Sequence, residues 1–178
     1  MASIERKLQQ LRQRIGDACT LAERPVQSVT LLAVSKTFGA DAVRHAHAAG
    51  QHAFGENYVQ EALVKIDALS DLRPALEWHL IGPLQSNKTR EVAEAFDWVH
   101  TVDRLKIAQR LSDQRPAHLP PMQVCVQVNV SAEASKAGVL PADTAALAQA
   151  VAALPRLRLR GLMSIPEPAE GLAAQRAP

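Results

Sequence analysis

The sequence predicts an α/β fold built on a parallel sheet, and two features of the chain support this prediction. Apolar runs typical of buried strands alternate with helical patterns, one pair about every 20–35 residues. The chain has 178 residues, 47% of them hydrophobic, which is enough to bury a core within one domain. No low-complexity segment or linker divides it. We therefore expect a single domain over residues 1–178.

The first expected element is a helix with an apolar face. Ser3 is its expected N-cap, and Pro25 follows its expected end. The apolar residues that recur at steps of three and four residues are Ile4, Leu8, Leu11 and Ile15.

Six apolar runs then predict the strands. They are bounded by turn-forming residues, and β-branched or aromatic side chains occur in them, as is typical of buried strands. The runs lie at residues 29–35, 52–57, 76–82, 98–103, 122–130 and 157–165.

Helical patterns occupy the intervals between these runs. The helix after the first strand is expected to begin at a capping Asp41 and to close on Gly50. The next, in "NYVQEALVKIDAL", carries its large apolar residues on one face. Three later helices are expected to begin at Ser86, at Asp103 and after Pro141.

Two architectures fit this alternation. A doubly wound dinucleotide-binding sheet needs a glycine-rich turn after its first strand, whereas "SKTFGAD" contains one glycine. A (β/α) barrel needs eight strands and typically about 250 residues. Because six strands are expected here, the fold is either an open sheet or a barrel that lacks two of its strands.

Composition argues against several classes of function. With 20 basic and 18 acidic residues, the net charge of +2 does not favour nucleic acid as a partner. The charged N-terminus is unlike a signal peptide, and no apolar run approaches the roughly 18 residues of a membrane span. His45 and His47 have the wrong spacing for a metal pair on one helix face. Cys19 and Cys125 are expected to be small buried hydrophobic residues. We expect a soluble, cytoplasmic protein without a membrane or nucleic-acid partner.

Polar residues follow the ends of the predicted strands. In both architectures these carboxyl ends form the ligand-binding edge. Lys36 follows the first strand and Asn57 the second, His79 lies within the third, and Met163 and Ser164 end the sixth. For His79, a core histidine whose hydrogen bonds are satisfied within the protein is an equally good interpretation.

Lys36 is the reactive residue of this group. We expect apolar side chains to crowd its amine, because such surroundings favour the neutral form that attacks aldehydes. Pyridoxal 5′-phosphate (PLP) or a small carbonyl metabolite is the electrophile that this chemistry suggests. The alternative is a lysine whose stem lies on the sheet and whose ammonium group reaches water.

Five stretches of the chain resemble one family. They are "LLAVSKT", "FGENYVQE", "EWHLIGPLQSNK", "NVSAEASKAG" and "LRLRGLMSIPEP", and they are similar to the pyridoxal-phosphate homeostasis proteins, small relatives of the N-terminal barrel of alanine racemase. The resemblance implies a TIM-type (β/α) barrel of the alanine racemase N-terminal type, with about six of its eight strands present in this chain.

The same resemblance implies a function and a site. The protein would hold PLP as a Schiff base on Lys36 and would carry or buffer the cofactor without established catalytic turnover. The residues implied near the cofactor are Asn57, His79, Met163 and Ser164. Lys136 is similar to an accessory lysine that the family links to cofactor transfer.

Departures from the family pattern qualify these expectations. Phe38 stands where some relatives carry a second lysine. Family members continue for roughly another fifty residues beyond the segment that matches this chain. Those residues supply the loops after strands seven and eight, which usually hold a phosphate in this fold. We therefore expect exposed strand edges, and either a truncated chain with weak cofactor binding or a longer protein of which this sequence is a part.

Two other functions stay open at this point. One is a PLP-dependent racemase or decarboxylase, although Tyr58, the only tyrosine, is expected at the start of a helix. The other is a fragment that binds no ligand. Apo forms of PLP-dependent enzymes are possible partners, and a monomer or weak dimer is expected.

Overall fold

The computed structural model of the protein describes residues 3–131, 137–168 and 170–176. Within these ranges the chain begins with an α-helix, and six strands then alternate with six further α-helices, which confirms the predicted α/β class. The strands are β1 (Ala33–Val34), β2 (Ala53–Glu56), β3 (Glu77–Leu80), β4 (Trp98–Val102), β5 (Met122–Gln127) and β6 (Leu157–Met163). The helices are α1 (Ile4–Leu21), α2 (Ala40–Ala48), α3 (Val59–Ala68), α4 (Thr89–Ala95), α5 (Leu105–Gln114), α6 (Pro141–Ala152) and α7 (Leu172–Gln175).

The strands form one sheet in chain order, from β1 to β6. Pairing is parallel between β1 and β2, between β3 and β4, between β4 and β5, and between β5 and β6. Consecutive parallel strands joined by helices are the repeating unit of a (β/α) barrel. In a parallel sheet, all strands present their carboxyl ends to the same edge.

The chain divides into two compact units. The first unit contains the residues up to Glu56 together with Gln60–Trp78, and the second contains Asn57–Val59 and the residues from His79 onward. Phe54 and Trp78 are fully buried in the first unit, with ring centroids 5.9 Å apart. The largest fully buried aliphatic residues of the second unit are Leu80, Ile107, Leu111 and Met122. A single domain over residues 1–178 stays a prediction.

Several helix ends follow the predicted chemistry. The Ser3 hydroxyl accepts a hydrogen bond from the Arg6 amide at 3.3 Å, as expected of an N-cap. Pro141 is the first residue of α6. Gly50, just beyond α2, has a φ of 81°, the left-handed conformation that glycine adopts at little cost.

Three predicted helix starts are wrong by one to three residues. Gly39 caps α2, and Asp41 lies inside its first turn, where a carboxylate interacts favourably with the helix dipole. Ser86 begins a short 3₁₀ turn, and α4 follows at Thr89. Helix α5 begins at Leu105, two residues after Asp103.

Both cysteines are buried, as predicted, and both are free thiols. None of the helices in the described ranges is both long and apolar enough to cross a bilayer.

Candidate cofactor site

Lys36 lies in a turn directly after β1, in the first unit. The residue is exposed, so the expectation that apolar side chains crowd it is wrong: the strand has ended, and the turn carries the side chain away from the core. We call residues 35–38 the Lys36 turn. The Phe38 amide donates to the Ser35 carbonyl at 3.1 Å and closes this turn.

The residue after Lys36 has an unusual backbone conformation. Thr37 has a φ of 67°, and it occupies a turn position where positive φ normally selects glycine. A positive φ in a non-glycine residue costs of the order of 1–3 kcal/mol, and a β-branched side chain makes it less favourable still. Surrounding contacts must therefore hold the Lys36 turn in this conformation.

A buried ion pair lies under the Lys36 turn. The Lys65 Nζ, on α3, is 2.6 Å from Oε1 of Glu56, which ends β2, and the exposed fractions of these side chains are 4% and 0%. The same Nζ donates to the Ser35 carbonyl at 2.8 Å, and the Ser35 hydroxyl donates to the same Glu56 oxygen at 2.5 Å. Ser35, itself buried, is thus fixed through both its backbone and its side chain.

A second carboxylate holds the other side of the Lys36 turn. The Thr37 amide donates to Oε1 of Glu61 at 2.7 Å. Glu61 is also 3.6 Å from Lys65 Nζ and belongs to the same helix, one turn earlier. The exposed Lys36 side chain therefore extends from a turn that is anchored on both sides.

The carboxyl ends of β3 to β6, in the second unit, surround a cavity of about 230 Å³. Its polar lining includes Thr101, Gln127 and Asn129, all of them buried residues. Ile81 and Ile165 contribute apolar surface. A concave space with a few polar groups on mainly apolar walls is typical of small-molecule sites.

His79 is buried in β3 of the second unit and belongs to an aromatic cluster. Its Nδ1 is 2.9 Å from Nε2 of His100, and its ring stacks on Trp98 with a centroid separation of 5.2 Å. Burial, and secondarily the nearby His100, lower the pKa of His79 to about 3. Burial lowers the pKa of His100 as well. Both imidazoles are therefore neutral at physiological pH.

Asn57 is half-buried in the second unit, where the chain at Gly82 passes against its backbone. A Cβ placed on Gly82 would lie 2.1 Å from the Asn57 carbonyl oxygen, so glycine is required at this close approach. The Thr101 hydroxyl donates to the Gly82 carbonyl at 2.8 Å and fixes this segment.

Two more of the predicted residues, Met163 and Ser164, lie at the end of β6. Met163 is its last residue and is half-buried, and its carbonyl accepts from the Val128 amide at 2.8 Å. Ser164 follows and is exposed. Lys136 lies outside the described residues.

Sequence reasoning missed the groups that support these residues. Glu61 and Lys65 are four residues apart on one helix, which was a readable signal for an ion pair. No feature of the sequence indicated that the Lys65 side chain would be buried. Trp98 and His100 are two residues apart on β4, so their side chains lie on the same face of the sheet. Their contact with His79 depends on the register between β3 and β4, which the sequence does not specify.

Comparison with known proteins defines the class of this fold. Residues 6–177 match the family described as "Alanine racemase, N-terminal domain". This match spans nearly the whole chain and agrees with the alternation of parallel strands and helices described above.

Sequence relatives specify the family further. The chain is 62% identical to the pyridoxal phosphate homeostasis protein of Pseudomonas aeruginosa over 99% of its own length and 76% of that protein. It is 57% identical to the protein of the same name in Escherichia coli, over 94% of this chain and 72% of that protein. The chain belongs to the alanine racemase N-terminal domain family and, within it, to the pyridoxal phosphate homeostasis proteins.

A solved structure supports this assignment. PipY of Synechococcus elongatus, described with PLP bound, is 41% identical to the chain with a TM-score of 0.77. The similarity covers 97% of this chain and 74% of PipY.

Proposed function

We propose that the protein binds PLP as a Schiff base on Lys36 and carries or buffers the cofactor. The observation that carries this proposal is an exposed primary amine at the carboxyl end of β1, on a turn anchored from both sides. The related proteins are named for pyridoxal phosphate homeostasis, and PipY is described with PLP bound. These relatives support PLP over other carbonyl compounds.

The residues at the Lys36 turn fit the chemistry of this ligand. PLP supplies an aldehyde that condenses with a primary amine. The neutral Nζ of Lys36 attacks the aldehyde carbon, a carbon–nitrogen double bond forms, and the carbonyl oxygen leaves as water. Lys65 is a poor competitor for the aldehyde, because it is buried and its Nζ contacts Glu56 and the Ser35 carbonyl.

The other proposed ligand contacts are uncharged. Asn57 supplies an amide, Ser164 a hydroxyl and Met163 a polarisable thioether. His79 is neutral because burial lowers its pKa to about 3, so we propose that it contributes a hydrogen bond or stacking and not a positive charge. Lys136 is proposed as an accessory amine in cofactor transfer.

We propose that binding is not followed by catalytic turnover. A two-base racemase needs a second acid or base that faces the lysine. Tyr58, the tyrosine of this chain, directly precedes α3 and is 60% exposed. Incubation with PLP and amino acids should give no racemised or decarboxylated product; product that disappears in Lys36→Ala would establish an enzyme instead.

A spectroscopic titration tests the binding proposal. PLP added to the protein should produce the imine absorbance band with saturable binding, and Lys36→Ala should abolish it. Lys106→Ala is the matched control, since Lys106 is an exposed lysine on α5. An unchanged band in Lys36→Ala, or no band in the unaltered protein, would overturn the proposal.

The biological setting proposed is the cytoplasm, with apo forms of PLP-dependent enzymes as recipients and the carrier as a monomer or weak dimer. Loaded protein mixed with an apo enzyme should restore that enzyme's activity faster than PLP released into solution can account for. A PLP scavenger separates the two routes, because it blocks transfer through solution only.

A further inference from the structure

We propose that Glu61 is a positioning residue for Lys36, and that it acts by holding Thr37 in a left-handed backbone conformation. This inference rests on the proposed function of Lys36. It assigns a role to a residue that touches neither the Lys36 side chain nor the reacting atoms.

The backbone of Thr37 is the first observation. Its φ of 67° is a conformation that β-branched residues rarely adopt, so the Lys36 turn does not favour this geometry by itself. Outside the left-handed conformation, the chain would leave the turn in another direction and would redirect the side chain of the preceding residue.

The contact from Glu61 is the second observation. Its Oε1 accepts the Thr37 amide at 2.7 Å, and a hydrogen bond to a charged acceptor is stronger than one between neutral groups. Glu61 is itself oriented by Lys65, whose Nζ lies 3.6 Å from the same oxygen and 2.6 Å from Oε1 of Glu56. A buried cation thus links the carboxylate on α3 to the end of β2.

The attachment of Ser35 is the third observation. Lys65 donates to the Ser35 carbonyl at 2.8 Å, so a single ammonium group orients both the residue before Lys36 and the carboxylate that binds the residue after it. Lys36 is held by backbone contacts on both sides, and its own side chain stays exposed. This arrangement reduces the orientational freedom that the amine loses when it binds a ligand.

Two substitutions of Glu61 test this role. Glu61→Met removes the acceptor and keeps a good helix former, and Glu61→Ala does the same independently. PLP titration should give a dissociation constant about tenfold higher for both, as expected for the loss of one charge-assisted hydrogen bond. Glu61→Gln retains an oxygen acceptor and should stay within about threefold of the unaltered protein.

Glu91→Ala is the matched control. Glu91, on α4, is a carboxylate with the same 36% side-chain exposure as Glu61, and it pairs with Lys88, which directly precedes that helix. Its substitution should leave the dissociation constant for PLP unchanged.

Repeating the Glu61 substitution in a Thr37→Gly variant distinguishes a positioning role of Glu61 from a general contribution to stability. In Thr37→Gly the left-handed conformation no longer requires an external contact, because glycine adopts positive φ readily. Glu61→Met should therefore weaken PLP binding by less than about threefold in this background, against about tenfold in the unaltered one. A carboxylate that merely stabilised the fold would have the same effect in both backgrounds.

The outcomes distinguish this inference from the proposed function. If the unaltered protein forms no adduct at Lys36, both are overturned. If the adduct forms and Glu61→Met and Glu61→Ala bind PLP as tightly as the unaltered protein, this inference alone is overturned. An equal loss of affinity in the Thr37→Gly background would also overturn it.

Discussion

Substitution of Lys65 should lower the free energy of unfolding more than substitution of most other positions in the first unit. Lys65→Met removes the ammonium group and leaves the Glu56 carboxylate, which is 0% exposed, with the Ser35 hydroxyl as its remaining donor among the described residues. Breaking a buried ion pair by removing one partner costs about 3–5 kcal/mol, since the other charge stays buried without compensation. This loss is a large fraction of a total stability of about 5–15 kcal/mol.

Urea denaturation followed by circular dichroism measures this loss. With a slope of about 2–3 kcal/mol per molar urea, the midpoint should fall by about 1–2.5 M. Lys88→Met is the control, because the Lys88 side chain is 32% exposed and such pairs contribute at most about 1 kcal/mol. Glu56→Gln combined with Lys65→Met should be less destabilised than Lys65→Met alone, since the buried charge is then absent. A loss below about 1 kcal/mol in Lys65→Met would refute the reasoning.

Three further predictions concern pH and glycine. Because the folded-state pKa of His79 is depressed to about 3 and that of His100 is also lowered, stability should be fully present above pH about 6.5 and lost as pH falls toward 3. Between pH 7 and pH 5 His79 should account for up to about 2 kcal/mol, and His79→Gln should flatten the profile measured by urea denaturation. Gly82→Ala should destabilise the protein by about 1–3 kcal/mol, because its Cβ would lie 2.1 Å from the Asn57 carbonyl oxygen; a thermal melt as high as that of the unaltered protein would contradict this. Gly16→Ala, within α1, should instead stabilise it by about 0.5–1 kcal/mol in the same melt, because among the described residues no atom beyond its chain neighbours and the adjacent helix backbone lies within 4 Å of the new Cβ.

The alternation of apolar runs and helical patterns was sufficient to predict the α/β class and the parallel strands of the fold, but not the strand lengths. The first strand was predicted over 29–35, whereas β1 contains Ala33–Val34 only. Residues 26–28 form a 3₁₀ turn, and Val29 is exposed. Apolar composition reports the tendency to be buried, whereas a strand also needs a partner with free backbone groups, and the partner is set by the tertiary fold.

The candidate site was predictable where it follows from strand ends. Parallel strands present their carboxyl ends at one edge of a sheet. This rule was enough to propose Lys36 and Asn57 as site residues from their positions in the sequence, without any interatomic distance. The role of Glu61 could not be predicted in this way, because it depends on the φ of Thr37. The burial of Lys65 was equally hidden, because sequence patterns assign lysine to the outside and cannot detect a buried carboxylate that compensates its charge.

Reduction of the PLP-loaded protein with borohydride, followed by peptide mapping, would identify the lysine that holds the cofactor. Reduction converts the labile imine into a stable amine and so marks the lysine that formed it. The label should be found on Lys36, at close to one per chain, and should be missing from Lys36→Ala. A label absent from Lys36, or spread evenly over exposed lysines such as Lys106, would contradict this prediction.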